Sequence, residues 1–236
     1  MSIPVSGMNR GRTGWLNGPI FDGPIDHDLE DFRPWIRDID DGTVEVRRWS
    51  EMTKILIAYW TIEGQTARIA EYVAGVVRHQ GYEAQAVDIK QSKDVSLDSY
   101  DAVIVGSSVH MGKHGDDIAD FVRKSRVTLE RLPSAFFSVS LAAYGDMDNA
   151  RAYVENFEEE TGWHPDQIGY LSGALLYRQY GIVKRWMMKR IVRDKPGGLS
   201  MDTSRDWVYT DWDEVKHFVE EFLPRLAPQN ASKIKS

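Results

Sequence analysis

Two threonines, Thr61 and Thr66, bracket a single glycine, Gly64, in the stretch TIEGQT. An apolar run ends just before them and an amphipathic run begins just after. A strand that feeds a helix through a short polar loop is a place for phosphate, because the helix N-terminus offers unpaired N–H groups and a partial positive charge. Spacing excludes two kinds of phosphate loop. There is no lysine for a Walker loop, and one glycine is too few for the dinucleotide fingerprint. What remains is a ring of backbone N–H groups from Ile62, Glu63, Gly64, Gln65 and Thr66, with the Thr61 and Thr66 hydroxyls as further donors. Neutral donors of this kind suit the terminal phosphate of a mononucleotide and require no cation. A carboxylate beside a phosphate is unfavourable, so Glu63 is expected to point away and lend only its N–H. The plainer alternative is an ordinary βα turn with an N-capping threonine.

The loop needs elements to hold its ends, and the hydrophobic pattern supplies them. Strands are expected at Lys54–Tyr59, Glu83–Asp88, Ala102–Gly106, Ala135–Ser140 and Ile168–Ala174. Helices are expected at Gln65–His79, Asp116–Arg131, Asp146–Thr161 and Asp211–Leu226. The last has Asp211 as N-cap and Trp212, Val215, Phe218, Val219 and Phe222 as its buried stripe. Short apolar strands alternating with helices give a parallel sheet covered on both faces. Five strands suit the doubly wound α/β order, in which ligands sit beyond the C-terminal strand ends. The third and fourth strands end there in GSSVHMGKHG and SVSLAAYG. These loops are small, polar and glycine-bearing, so Ser107, Ser108, His110, Met111, Gly112, Ser140, Leu141 and Ala142 are expected to flank a flat ring. His110 and His114 have a metal-like i, i+4 spacing, but in a loop with no carboxylate or cysteine motif beside them.

Composition narrows the class. The 236 residues fit one α/β domain plus extras. There is no cysteine, which excludes disulfides, iron–sulfur clusters and thiol catalysis. No stretch approaches the roughly 18 apolar residues of a membrane-spanning helix. The net charge of −7 argues against nucleic acid as a partner. Tyr177–Asp206 departs from that average, with eight Lys/Arg and three Asp for a net of +5. Residues 1–51 hold six Gly and four Pro with no sustained period, and read as an irregular extension. Trp15, Phe21, Phe32, Trp35 and Trp49 are its candidates for packing, and Met52 is an alternative start. The domain then spans 52–227, with an insert at 176–207 and a tail at 228–236.

The loop resembles the FMN-phosphate loop of flavodoxins, T-x-T-G-x-T, at Thr61, Gly64 and Thr66, with Glu63 in place of the usual threonine. A closer resemblance covers about Thr53 to Leu226. The segments EGQT, YDAVIVGSSVHMGKH, LPSAFFSVSLAA, GWHPDQIGYLSGALLYRQYG and WVYTDWDEV are similar to those of the menaquinone-dependent protoporphyrinogen IX dehydrogenases, flavodoxin-like enzymes of haem synthesis. That family carries a long insert after the fifth strand, and this chain has GIVKRWMMKRIVRDKPGG in the same place. The resemblance implies FMN as cofactor, protoporphyrinogen IX as substrate and a membrane quinone as acceptor. The flavin would carry the chemistry, so no catalytic side chain is singled out. Wound as a helix, the insert puts Val183, Met187, Met188, Ile191 and Val192 on one half and Arg185, Lys189, Arg190 and Arg193 on the other. Lys184 and Trp186 break that pattern. An anionic membrane surface or the propionates of the substrate are the expected partners of Arg178, Lys184, Arg185, Lys189 and Arg190, with Tyr177, Tyr180 and Trp186 as flat contacts. The expected setting is the cytoplasm, peripherally at the inner face of the cell membrane. Alternatives are an NAD(P)H:quinone reductase, an electron carrier, a domain that has lost its flavin, and an insert that serves only as a packing cover.

Overall fold

The computed structural model describes residues 36–38, 44–46, 53–92, 95–193 and 198–226. The chain divides into two units, Met1–Arg47 and Arg48–Ser236. In the first, β1 (Ile36–Asp38) pairs antiparallel with β2 (Val44–Val46), so the extension is not wholly irregular. The aromatic side chains proposed to pack it lie outside the described residues, as does the tail at 228–236.

The second unit is built on strands β3 (Lys54–Trp60), β4 (Glu83–Asp88), β5 (Ala102–Ser108), β6 (Ser134–Ser140) and β7 (Gln167–Ser172). All neighbours are parallel and the order is β4-β3-β5-β6-β7. This is the doubly wound arrangement with its reversal at β3. Helix α1 (Gln65–His79) crosses from β3 to β4, and α2 (Asp116–Leu129) and α3 (Met147–Thr161) follow β5 and β6. Along β3, Ile55, Leu56, Ile57 and Ala58 are fully buried, as a strand covered on both faces requires. One core layer joins Ile55 and Ile57 to α1 and to the last helix through Val73, Val219 and Phe222. The opposite layer joins Leu56 and Ala58 to α2 and α3 through Val122, Phe157 and Trp163.

The fifth strand stops at Ser172, short of the expected Ala174. Gly173 donates its N–H to Ser140 O and accepts from Tyr209 N, which turns the chain out of the sheet. Strand β8 (Ala174–Leu175) then pairs antiparallel with β9 (Trp207–Val208) at the base of the insert. Between them lie a 3₁₀ turn (Tyr177–Gln179) and α4 (Ile182–Arg193). The insert has its own small core of Leu175, Leu176, Tyr177, Tyr180, Val192 and Leu199. Helix α5 (Trp212–Phe222) starts at Asp211, whose carboxylate accepts from the N–H groups of Asp213 and Glu214. It ends before Pro224, which cannot continue an α-helix, and a 3₁₀ turn replaces its expected last turn. No helix among the described residues is long and apolar enough to cross a membrane.

Candidate functional site

Beyond the C-terminal ends of β3, β5 and β6 lies a cleft of about 270 Å³. Its first wall is the Thr61–Thr66 loop. Thr61 Oγ1 accepts from Gly64 N–H at 3.0 Å, which folds the loop back on itself. Gly64 has φ +91°, and a Cβ there would meet nothing within 4 Å. The left-handed backbone, not crowding, is what calls for glycine. Helix α1 begins at the next residue, so its first N–H groups have no partner within the helix. Thr66 is 1 % exposed, and its Oγ1 is buried without a hydrogen-bond partner. Gln65 donates from Nε2 to Thr210 Oγ1 at 2.9 Å, and Thr210 donates on to Ser172 O at 2.7 Å. Gln65 Oε1 and Ser108 Oγ are likewise buried without partners. Orphaned hydroxyls and free N–H groups around one cleft fit a phosphate with polar groups next to it.

The second and third walls come from the loops after β5 and β6. Ser108, His110, Met111 and Gly112 line the cleft, as do Ser140, Leu141 and Ala142. Ser107 does not. It is fully buried within β5, because alternate strand residues face opposite sides of the sheet. Val109 N–H donates to Val139 O, which keeps the two loops zipped together. His110 and Lys113 then exchange backbone hydrogen bonds across a tight turn. Both central residues of that turn have positive φ, Met111 at 51° and Gly112 at 84°. A methionine held there costs about 1–2 kcal/mol relative to the right-handed region, and it leaves the Met111 side chain 91 % exposed at the rim.

The two histidines diverge. His110 is exposed at the rim, whereas His114 packs edge-on against the stacked rings of Phe136 and Phe157, with centroids at 5.2 and 5.1 Å. Burial lowers the His114 pKa from 6.5 to about 4, against a backbone interaction with Ser108 that acts the other way. It is a neutral core residue, with Nε2 at 3.4 Å from Ser138 Oγ. No cluster of three or more metal-ligating side chains occurs among the described residues.

The insert supplies the fourth wall through Tyr180, Lys184, Met187 and Met188, and α3 adds Tyr153. Glu63 lines the same cleft, and its carboxylate is held by the insert. Its Oε2 accepts from Tyr180 OH at 2.5 Å and its Oε1 pairs with Lys184 Nζ at 2.7 Å. Lys184 also lies 4.5 Å from the centre of the Tyr180 ring. Burial, with Glu63 next in effect, drives the Tyr180 pKa well above its usual value. On the other side Lys90 donates to Thr61 O at 2.5 Å and lies 4.5 Å from the centre of a Trp60 ring. A loop read as cation-free thus has two lysines beside it.

Several expectations for the insert need correction. Tyr177 is fully buried, and its hydroxyl donates to Ser200 O, so it is core and not a surface contact. Arg185 donates to Tyr177 O at 2.9 Å and is held within the insert. Lys184 is committed to Glu63. The apolar half also divides differently. Val192 is buried and Met188 packs on the insert core, whereas Ile182, Val183, Trp186 and Met187 are 88, 80, 65 and 46 % exposed. Trp186 joins that outward strip instead of interrupting it. Lys189, Arg190 and Arg178 are exposed, and the Ile191 side chain lies outside what the structure describes.

Residues 56–201 match the family model of the flavodoxin domain. Among curated proteins, the chain is similar to protoporphyrinogen IX dehydrogenase [quinone] of Escherichia coli strain K12, at 33 % identity over 171 residues, or 71 % of this chain and 93 % of that protein. The Leishmania major protein of the same name is 31 % identical over 185 residues, covering 76 % of this chain and 79 % of that one. Among solved structures, flavodoxin 1 of Bacillus cereus is 18 % identical with a TM-score of 0.43, over 73 % of this chain and 98 % of its own.

Proposed function

The chain belongs to the flavodoxin-domain family of quinone-linked protoporphyrinogen IX dehydrogenases, and from that membership we propose that it oxidises protoporphyrinogen IX to protoporphyrin IX with FMN as its cofactor. The observation that carries the reading is one cleft with a phosphate cradle at Thr61–Thr66 and a second wall built by the insert. When bound, FMN supplies the two-electron redox chemistry that no side chain here offers. Six electrons and six protons leave the substrate in three steps, and each pair reduces one quinone to its quinol.

The protein's part is binding, orientation and exclusion of water. The N–H groups at the start of α1 and the orphaned Thr66 hydroxyl would hold the phosphate. The loops Ser108–Gly112 and Ser140–Ala142 flank the ring, with Met111 and Ile62 presenting apolar surface at the rim. A plain electron carrier has no use for an insert that walls the cleft. Anaerobic turnover is the test. Reduced protoporphyrinogen and a quinone should yield fluorescent porphyrin, and replacing FMN by riboflavin should cost affinity. Reduction of quinone by NAD(P)H with no porphyrin formed would overturn the assignment.

The insert's outer surface supports a location as well. Ile182, Val183 and Trp186 project beside Lys189 and Arg190, a combination suited to the anionic inner face of the cell membrane, within reach of a membrane quinone. Co-sedimentation with anionic vesicles should fall steeply with salt and should be lost when Trp186, Lys189 and Arg190 are all replaced by Gln. Sedimentation unchanged by that replacement would remove the membrane from the proposal.

A further inference from the structure

Glu63 places a negative charge in the loop assigned to a phosphate, and two groups of the insert close on it. Tyr180 OH donates to Oε2 at 2.5 Å, and Lys184 Nζ pairs with Oε1 at 2.7 Å. All three residues line the cleft, yet 117 and 121 positions separate Glu63 from its partners. Tyr180 is itself 5 % exposed and belongs to the insert core. The contact therefore joins two parts of the chain that no backbone pairing links. The side chains of Lys184 and Glu63 are 35 and 24 % exposed, so the pair is neither a screened surface bridge nor a sealed one.

We propose that Glu63, Tyr180 and Lys184 form a latch that holds the insert on the cofactor loop, so that retention of the cofactor's phosphate and docking of the insert are one linked equilibrium. This rests on the FMN reading above. With the latch closed, Lys184 neutralises Glu63. With it open, a bare carboxylate stands in the loop that must hold a phosphate dianion, and like charges at that range repel. The phosphate therefore favours the closed form, and by reciprocity the closed form favours the phosphate by the same factor. Riboflavin, which lacks the phosphate, is indifferent to the latch. In this arrangement Lys184 is a positioning residue: it acts through Glu63 and does not touch the phosphate.

The experiment pairs flavin titration with hydrogen exchange on the full chain. For a partly exposed charged pair, Lys184→Met should weaken FMN about three- to tenfold and leave riboflavin unchanged. Adding Glu63→Gln to that variant should restore FMN affinity, because the unneutralised charge is gone. In flavin-free protein, the amides of Ile182–Arg193 should exchange faster in Glu63→Gln and in Tyr180→Phe, which removes only a hydroxyl. FMN but not riboflavin should slow them in the wild type. If the double variant stays as weak as Lys184→Met, Lys184 binds the phosphate directly and the latch is wrong. Exchange at the wild-type rate in both Glu63→Gln and Tyr180→Phe overturns it equally. Wild-type protein that binds FMN no better than riboflavin would instead count against the cofactor reading, and the flavin-free exchange would still judge the latch.

Discussion

Acid should weaken this fold through His114, within a definite window. The imidazole is buried against the stacked rings of Phe136 and Phe157, and its pKa falls from 6.5 to about 4. A group held neutral in the folded state protonates more readily when the chain unfolds. Its contribution to stability is therefore complete above the unfolded pKa and is lost as pH falls toward the folded one, with no further loss below. A shift of that size corresponds to about 3 kcal/mol in all. By the same linkage the loss relative to neutral pH is a little under about 1 kcal/mol near pH 6 and about 2 kcal/mol near pH 5. Carboxylates add their own acid dependence, so the comparison is with His114→Leu. That variant loses packing, but equally at every pH. Urea denaturation of both proteins between about pH 5 and pH 8 isolates the histidine, and the gap in unfolding free energy should narrow, or even reverse, by about 2 kcal/mol toward the acid end. A gap that stays constant across this range would mean that His114 titrates normally, and that water reaches a ring placed here in a dry core.

Three further outcomes follow from packing and capping. A Cβ at Gly106 would lie within the Phe137 ring in the middle of the sheet, so Gly106→Ala should destabilise by about 1–3 kcal/mol or more, read as a lower urea midpoint. Thr66→Val removes the orphaned hydroxyl from the cradle and should weaken FMN roughly ten- to hundredfold by fluorescence-quenching titration, with riboflavin much less affected. Asp211→Ala strips α5 of the carboxylate that receives two of its N–H groups and should cost about 1 kcal/mol, measured by thermal or urea unfolding.

What could be read from the residues alone was whatever is local. The run of β3 is apolar because both faces are covered, and the Asp211 cap acts on residues two and three places on. The turn that opens α1 was legible for the same reason, since Thr61, Gly64 and Thr66 act within one turn of chain. Contacts between distant segments left no trace in spacing. Nothing in TIEGQT says that Tyr180 and Lys184 wait for Glu63. Lys90 reaches Thr61 O from just past the end of β4 in the same unannounced way. Tyr177, expected as a surface contact, is core, because a tyrosine suits a core as well as a surface. The two-residue clamp of β8 and β9 is too short to show a period, so the insert's packed face could not be told from its free one. His114 followed His110 by one helical turn in sequence, yet the tight turn at Met111–Gly112 sends the two rings apart.

The β8–β9 clamp has a topological consequence. The insert departs after Leu175 in β8 and comes back at Trp207 in β9, and these two residues are paired. It is a closed circuit whose ends are already joined, and closing a loop of that length costs roughly 3 kcal/mol of chain entropy beyond a constant. Two paired residues on each strand of the clamp and a six-residue core offset that cost locally. The excursion can therefore melt, be nicked by a protease or be replaced by a short turn without pulling on β7 or α5. Evolution acting on this chain could lengthen, recharge or delete the excursion while the parallel sheet beneath it kept its register.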